Sequence, residues 1–468
     1  MRAPRPLLTA VALALALTAC AGGGVSGSPG GDGLGDPYFP RAGNGGYDVR
    51  HYSLTLDYTP ATRHLTGSAT LTARATQDLS AFRLDLTGLD VESVTVDRRA
   101  ARWNRAGQEL TVRPRDDLHT GDVFRVAVRY GGTPVTVTDP DGSEEGWLPT
   151  GDGALALGQP TGSMAWFPGN HHPADKASYD ITVTVPKGLW AVSNGELRGE
   201  PVTRGGRTTT YAWRVAEPMA SHAATVAIGR YAVRRTTTGA GLPVLTAVDP
   251  EQADASRAAL DRIPEVVAWG ERNFGPYPFA STGVIVDRPG DAGYALETQN
   301  RPVFPGAPDT ALLVHELAHQ WYGDSVTPRT WRDMWLSEGF ATYAEWLWRE
   351  DHGGTTAEET FTALYDGDGT DEGGEDLWAF PPADPPDAAH VSSRPVYDRA
   401  AMVLHRIRQA LGDDDAFRAL LRDWATAHRH GNADTGDFTA WAERRSPETD
   451  FGGIWRDWLY GDGKPGER

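Results

Sequence analysis

The sequence Val314-His315-Glu316-Leu317-Ala318-His319-Gln320-Trp321 decides the fold of the second half of the chain. His315 and His319 are four residues apart, so on a helix they lie one turn above each other, where both imidazoles can bind one metal ion at about 2.0–2.1 Å. Glu316 is adjacent and is predicted to act as general base on a water bound to that metal. The other face is apolar at i, i+3, i+4 and i+7, which predicts burial in a core.

A third ligand is required because a catalytic zinc site has three protein ligands and one open position. Glu338 is predicted to supply it from the start of a second helix. Eighteen residues separate Glu338 from His319, enough for the first helix, capped by Asp309, to end near Gly323 and for the chain to return. The HExxH pattern alone also occurs by chance on solvated helix faces, so the third ligand at this spacing carries the metal interpretation.

Two segments carry a family resemblance: His315-Glu316-Leu317-Ala318-His319-Gln320-Trp321 and Trp335-Leu336-Ser337-Glu338-Gly339-Phe340-Ala341. They resemble the zinc helices of the aminopeptidase N-like gluzincins, a family that also contains leukotriene hydrolase. The resemblance covers about residues 47–425. It implies an N-terminal β-sandwich or saddle domain followed by a mainly helical, thermolysin-like catalytic domain. Typical relatives continue into a large helical domain over the active site, which we expect this chain to lack, with a more open cleft as the consequence.

The resemblance also implies roles for residues outside the zinc helices. Glu297 stands where the family carries the glutamate of its Gly-Ala-Met-Glu-Asn motif, which binds the α-ammonium of the substrate, although Thr298 replaces the usual asparagine. Gln159 matches a glutamine that helps to hold the substrate's amino terminus. Tyr397 matches a tyrosine that stabilises the oxyanion of the tetrahedral intermediate. Glu345, two helical turns beyond Glu338, is a candidate to orient a ligand histidine.

The first half of the chain reads as strands. Apolar residues alternate with polar ones in several runs, separated by Gly- and Pro-containing breaks; the runs include Tyr52 to Tyr58, Phe82 to Leu86, Phe124 to Tyr130 and Ile181 to Val185. We predict a β domain over residues 47–240, a catalytic domain over 241–460 and a disordered tail over 461–468.

The N-terminus reads as a targeting segment. Arg2 and Arg5 precede a short apolar run, and residues 17–20 resemble the bacterial lipobox, in which Cys20 is lipidated. Cys20 is the only cysteine in the chain, so an intrachain disulfide is impossible. We predict a lipoprotein signal peptide over residues 1–20, a lipid anchor in the cell membrane, and a flexible linker over 21–46. Ordinary secretion is the alternative.

Net charge limits the range of partners. The formal charge is −19, which disfavours nucleic acid as a partner. Together with the motifs, this predicts a zinc-dependent aminopeptidase with a single Zn²⁺, acting on peptides with a free N-terminus. Three alternatives stay open: a zinc endopeptidase on the same site, a non-catalytic binding lipoprotein, and the epoxide hydrolysis of one family branch.

Overall fold

The computed structural model describes residues 27–116, 118–367 and 376–466. They form an N-terminal β unit followed by a mainly helical unit, which confirms the predicted order of the two. Each unit has its own hydrophobic core. No described helix is both long and apolar enough to cross a bilayer.

The described strands are numbered in chain order. They are Ser28–Pro29 (β1), Tyr47–Thr59 (β2), His64–Ala75 (β3), Leu79–Asp85 (β4), Asp90–Val96 (β5), Arg99–Ala100 (β6), Arg102–Ala106 (β7), Glu109–Arg113 (β8), Val123–Gly132 (β9), Thr136–Thr138 (β10), Glu144–Pro149 (β11), Ala154–Leu157 (β12), Lys176–Pro186 (β13), Trp190–Ser193 (β14), Glu196–Leu197 (β15), Val202–Arg204 (β16), Thr208–Ala220 (β17), Val226–Gly229 (β18), Ala232–Thr237 (β19), Pro243–Val248 (β20), Thr282–Val286 (β21), Val303–Phe304 (β22), Thr327–Pro328 (β23) and Asn432–Ala433 (β24).

The described helices follow the same numbering. They are Ala253–Leu260 (α1), Ile263–Phe274 (α2), Thr310–Ala318 (α3), Trp335–Asp351 (α4), Ala357–Asp366 (α5), Ala400–Leu411 (α6), Asp414–Ala427 (α7), Thr435–Arg445 (α8) and Gly452–Ile454 (α9), with π-helical turns at Pro395–Arg399 and Trp455–Leu459.

Three sheets build the β unit. The largest has the order β15-β17-β13-β2-β3-β9-β5-β6, with β16 added to β17. A four-stranded sheet has the order β1-β4-β8-β7, and a five-stranded sheet has the order β10-β11-β12-β18-β14. The apolar residues that alternate in the sequence, among them Leu54, Val128 and Ile181, are buried, because successive side chains of a strand point to opposite faces.

A fourth sheet, β19-β20-β21-β22, lies between the two cores. Its side chains alternate between them: Val244 and Val248 pack in the helical core, whereas Leu245 and Ala247 pack in the β core. β19 pairs with β20 across the predicted boundary at residue 240. Residue 240 therefore lies in the turn between two paired strands of a sheet that contributes side chains to both cores.

Lys176, at the start of β13, ties the β unit to the helical unit. Its buried ammonium group donates hydrogen bonds to the carbonyls of Asp324 at 2.9 Å, Ser325 at 3.0 Å and Gly431 at 3.3 Å. Asp324 and Ser325 lie in the turn that follows α3. The β unit is thereby attached directly to the turn after the histidine helix.

The segment predicted as a flexible linker, residues 21–46, contacts both units within its described part, residues 27–46, and Asn44 Nδ2 donates to Asp85 Oδ1 of the β unit at 3.1 Å. Asp36 is buried and accepts a hydrogen bond from Trp331 N at 2.9 Å. The Tyr38 hydroxyl donates to Pro385 O at 2.6 Å. Composition suggested a linker, but these buried polar contacts fix the chain. Cys20 and the predicted signal peptide lie outside the described residues.

The segment predicted as a disordered tail, residues 461–468, also contacts the body of the protein over its described part, 461–466. The Tyr365 hydroxyl donates to Pro465 O at 2.7 Å. The Lys464 ammonium lies 4.5 Å from the centroid of the Tyr365 ring, a cation–π distance. Both contacts are made by Tyr365, about a hundred positions earlier in the chain. The composition of the tail alone cannot indicate a contact with so distant a residue.

Candidate metal and peptide site

The histidine helix α3 forms as the sequence predicts. Asp309 caps it by accepting a hydrogen bond from Leu312 N at 2.8 Å, which satisfies a free N–H of the first turn. The chain turns away at Gly323, whose φ is +124°. A Cβ at that position would lie 2.4 Å from Ser337 Oγ and 3.2 Å from His319 Nδ1. Glycine is therefore required both by the backbone conformation and by the close approach of a ligand histidine.

The three predicted metal ligands meet at one point. Glu338, in the first turn of α4, places its Oε2 atom 3.3 Å from His315 Nε2 and 3.3 Å from His319 Nε2. Three donors held at 2.0–2.1 Å around a tetrahedral zinc would be separated by about 3.3–3.4 Å. The spacing of these donors therefore fits zinc, and two imidazoles with one carboxylate are ligands that zinc accepts.

Hydrogen bonds fix the orientation of both imidazoles. His315 Nδ1 lies 2.9 Å from Glu345 Oε1, so the predicted contact of Glu345 with a ligand histidine is confirmed. His319 Nδ1 lies 3.0 Å from Tyr322 O and 3.0 Å from Ser337 Oγ. In each ring the Nδ1 proton is donated to an oxygen, which leaves the Nε2 lone pair for a metal ion.

The electrostatics of the ligand set favour a cation. Burial acts to lower the pKa of His319, but the Glu338 and Glu297 carboxylates outweigh it and raise that pKa to about 9. His315 behaves in the same way, since hydrogen bonds to Glu338 and Glu345 overcome its burial and raise its pKa. The buried carboxylates thus favour a positive charge where His315, His319 and Glu338 meet, and a divalent cation would supply that charge.

Glu316 is buried beside the ligands, and its carboxylate lies within 4.8 Å of ligand atoms of His319 and Glu297. It is 4% exposed, and its Oε2 atom has no hydrogen-bond partner among the described residues. Burial raises the pKa of the Glu316 carboxyl to about 8. A buried carboxyl oxygen without a protein partner needs a ligand or a water, which suits a group that receives a proton.

Glu297 and Gln159 lie close to the metal ligands, and one oxygen of the Glu297 carboxylate is within 4.8 Å of a His319 ring nitrogen. Both line a cavity of about 260 Å³ that also contains His315, His319 and Glu338. Glu297 is 6% exposed and accepts a hydrogen bond from the Gln159 side chain. Burial raises the pKa of Glu297, so a cationic partner would stabilise its carboxylate.

Tyr397 borders the same cavity from the π-helical turn before α6. Its ring lies parallel to that of His315, with centroids 6.2 Å apart and an interplanar angle of 15°. Burial and the nearby Glu338, Glu297 and Glu316 carboxylates raise the pKa of the phenol. The hydroxyl therefore stays protonated and available as a hydrogen-bond donor.

Four further polar residues that line the cavity were not predicted from the sequence. They are Asp141, Ser143, Tyr294 and Ser392. Asp141 and Ser143 come from the turn between β10 and β11, and Ser143 donates to Asp141 Oδ1 at 2.7 Å. Tyr294 lies three residues before Glu297. No motif marks Asp141, Ser143 or Ser392, because loops far from the zinc helices in the sequence bring them to the cavity.

Two family profiles match the chain. The profile described as "Peptidase M1 N-terminal domain" matches residues 49–222, and "Peptidase family M1 domain" matches residues 307–458. The second range contains the three ligands, Glu316 and Tyr397. Gln159 falls within the first range.

Similar proteins include a probable aminopeptidase 2 of Sulfurisphaera tokodaii and a glutamyl aminopeptidase of Homo sapiens. The first is 28% identical over 63% of this chain and 39% of its own length. The second is 29% identical over 40% of this chain and 21% of its own length. The chain thus spans well under half the length of these curated relatives.

A crystal structure of an M1 zinc metallopeptidase from Deinococcus radiodurans matches most of the chain. The form with a Tyr-Ser-Ala substrate bound has a TM-score of 0.82 and 28% identity, over 92% of this chain and 99% of that one. A crystal structure of a two-domain M1 zinc metallopeptidase bound to L-arginine also has a TM-score of 0.82 and 28% identity, over 92% of this chain and 98% of that one. Both of the units described above are therefore present in a solved relative.

Proposed function

The chain belongs to peptidase family M1, and on that premise we propose that it is a zinc-dependent aminopeptidase, which removes the N-terminal residue from peptides. The observation that carries the proposal is the equal 3.3 Å spacing of Glu338 from His315 and His319. The names of the relatives and the tripeptide bound to the Deinococcus structure support a peptide as the substrate.

The ligands would hold one zinc ion, which when bound lowers the pKa of water and polarises a carbonyl. Glu316 accepts the proton of the attacking water and later passes it to the leaving amine, the usual cycle of a general base that becomes a general acid. Tyr397 donates its phenolic proton in a hydrogen bond to the oxygen that becomes negative. Glu345 and Ser337 keep the imidazoles of His315 and His319 in the orientation that metal binding requires.

Glu297 and Gln159 restrict hydrolysis to the first peptide bond of the substrate. A buried carboxylate beside the metal ligands offsets the cost of removing an α-ammonium group from water. Only a peptide with a free amino terminus supplies that charge, so the scissile bond lies one residue from the ammonium. The cavity of about 260 Å³, which both Glu297 and Asp141 line, would hold the first side chain of the peptide.

Metal removal is expected to abolish hydrolysis of aminoacyl-arylamides, and zinc is expected to restore it. His319→Ala should contain no stoichiometric zinc by atomic emission, because it loses one of three ligands, and its unfolding midpoint should no longer shift when zinc is added. His64→Ala changes an exposed histidine of β3 and serves as the matched control. Full activity in chelated protein would contradict the proposal.

We also propose that the protein is an extracytoplasmic lipoprotein anchored at Cys20, on the support of the apolar run and the lipobox-like residues 17–20. Cells supplied with a labelled palmitate analogue should incorporate the label into the protein. Cys20→Ser should carry none, since Cys20 is the only cysteine. A mature protein that begins at Cys20 and contains no acyl chain would instead support ordinary secretion.

A further inference from the structure

Exposed arginines lie along one edge of the β unit. The group, called the arginine edge below, comprises Arg98, Arg99, Arg102, Arg113 and Arg115, together with Trp103. Glu109, which is buried, is the only acidic residue between positions 98 and 115, and Asp97, Asp116 and Asp117 flank this stretch. Because the whole chain carries a formal charge of −19, this local excess of positive charge stands out from the rest of the protein.

The positive charge of this edge is poorly neutralised within the fold. The register of β7 and β8 places Arg102 directly opposite Arg113, and like charges in such a pair destabilise a sheet. Within the described residues, Arg99 is the member of the arginine edge that forms an ion pair, with Asp116. Because no carboxylate of the described residues lies between these two facing arginines, their positive charge can bind an external anion.

An exposed aromatic side chain accompanies the arginines. Trp103 lies between Arg102 and Asn104 on β7, the last strand of the β1-β4-β8-β7 sheet, and is 37% exposed. Its side chain points to the same face of the sheet as Val112, the face opposite to that of Arg102 and Arg113. Tryptophan is favoured where an apolar region meets polar headgroups, and arginine binds phosphate oxygens with two parallel hydrogen bonds.

The position of this sheet relative to the proposed lipid anchor agrees with that chemistry. β1, where the described chain begins, belongs to the same sheet as β7. Eight positions separate Cys20 from Ser28, a length that spans at most about 30 Å when extended. Three interstrand spacings, about 15 Å in total, separate β1 from β7. An anchor at Cys20 would therefore hold this sheet near the lipid surface.

We propose that the arginine edge docks the β unit onto an anionic phospholipid surface. The sheet meets this surface with its β7 edge, so that the arginines bind headgroup phosphates from one face of β7 and Trp103 enters the interface from the other. The negative charges of the headgroups repel the acidic remainder of the protein surface. The contact therefore also fixes which side of the protein faces the bilayer.

The test uses the chain from Ala21, which keeps every described residue but lacks the anchor. It should sediment with vesicles of equal parts phosphatidylcholine and phosphatidylglycerol at low salt and be released as ionic strength rises. It should not sediment with phosphatidylcholine alone. Arg102→Glu with Arg113→Glu should lower the partition coefficient at least about tenfold.

Arg204→Glu with Arg207→Glu is the matched control. It makes the same change in net charge at exposed arginines by β16, at the other end of the largest sheet from β6. Both double variants should retain arylamide hydrolysis, which shows that they are folded. Equal loss of binding in the two double variants would overturn the proposal, as would equal binding to neutral vesicles. Binding to a soluble polyanion without binding to vesicles would assign the edge to another partner.

Discussion

Glu316→Gln is expected to lower kcat by roughly 10³-fold, within the range observed for a positioned general base, while zinc content stays unchanged. Glutamine has the size of glutamate but cannot accept the proton of water. Glu316 is buried, and its Oε2 atom has no described partner, so the substitution breaks no hydrogen bond of that oxygen within the protein. Steady-state kinetics on aminoacyl-arylamides, with metal analysis of the same samples, measures both quantities.

Glu196→Gln supplies the control, because Glu196 is exposed on β15 and far in sequence from the ligands.

Tyr397→Phe separates proton transfer from stabilisation of the oxyanion. It should lower kcat by about 10²-fold, the lower end of the range for one oxyanion donor, since a metal ion would share that oxygen. A Glu316→Gln variant that keeps normal kcat with zinc bound would exclude Glu316 as the base.

The metal ligands could be predicted from the sequence because their geometry is local. His315 and His319 share a helix face through their spacing, and Glu338 follows after one loop. Glu345 lies seven residues beyond Glu338, two turns along α4, and its contact with His315 at 2.9 Å agrees with that spacing. Alternation likewise identified the strands of the β unit, because burial on one face leaves a period of two.

Contacts between distant segments could not be predicted in the same way. Lys176 donates to Asp324 and Gly431, which lie roughly 150 and 250 residues further along the chain. Asp36 binds the backbone of Trp331 although its neighbours are Gly-rich. Nothing in the local pattern distinguishes these residues from solvated ones, because their partners are set by the packing of the two units rather than by spacing.

Glu297→Gln is expected to lower kcat/KM for free-amine peptides by roughly 10³-fold. Removing the charge of one buried partner typically costs about 2–5 kcal/mol, and here the other partner would be the α-ammonium of the substrate. Glutamine retains the size of the side chain and can still meet the Gln159 side chain. Zinc content and the unfolding midpoint should stay close to those of the unsubstituted protein, which separates a binding defect from a folding defect.

Acetylated substrates decide between an aminopeptidase and an endopeptidase on the same ligands. Acetylation removes the positive charge that Glu297 would bind, so the unsubstituted protein should hydrolyse an N-acetylated peptide at least about 10³-fold less efficiently than the free peptide. In Glu297→Gln the two rates should approach each other, because the amide has no preference for an ammonium. Internal cleavage of acetylated peptides at the rate of free ones would instead indicate an endopeptidase, since the carboxylate at position 297 would then bind no chain terminus during turnover.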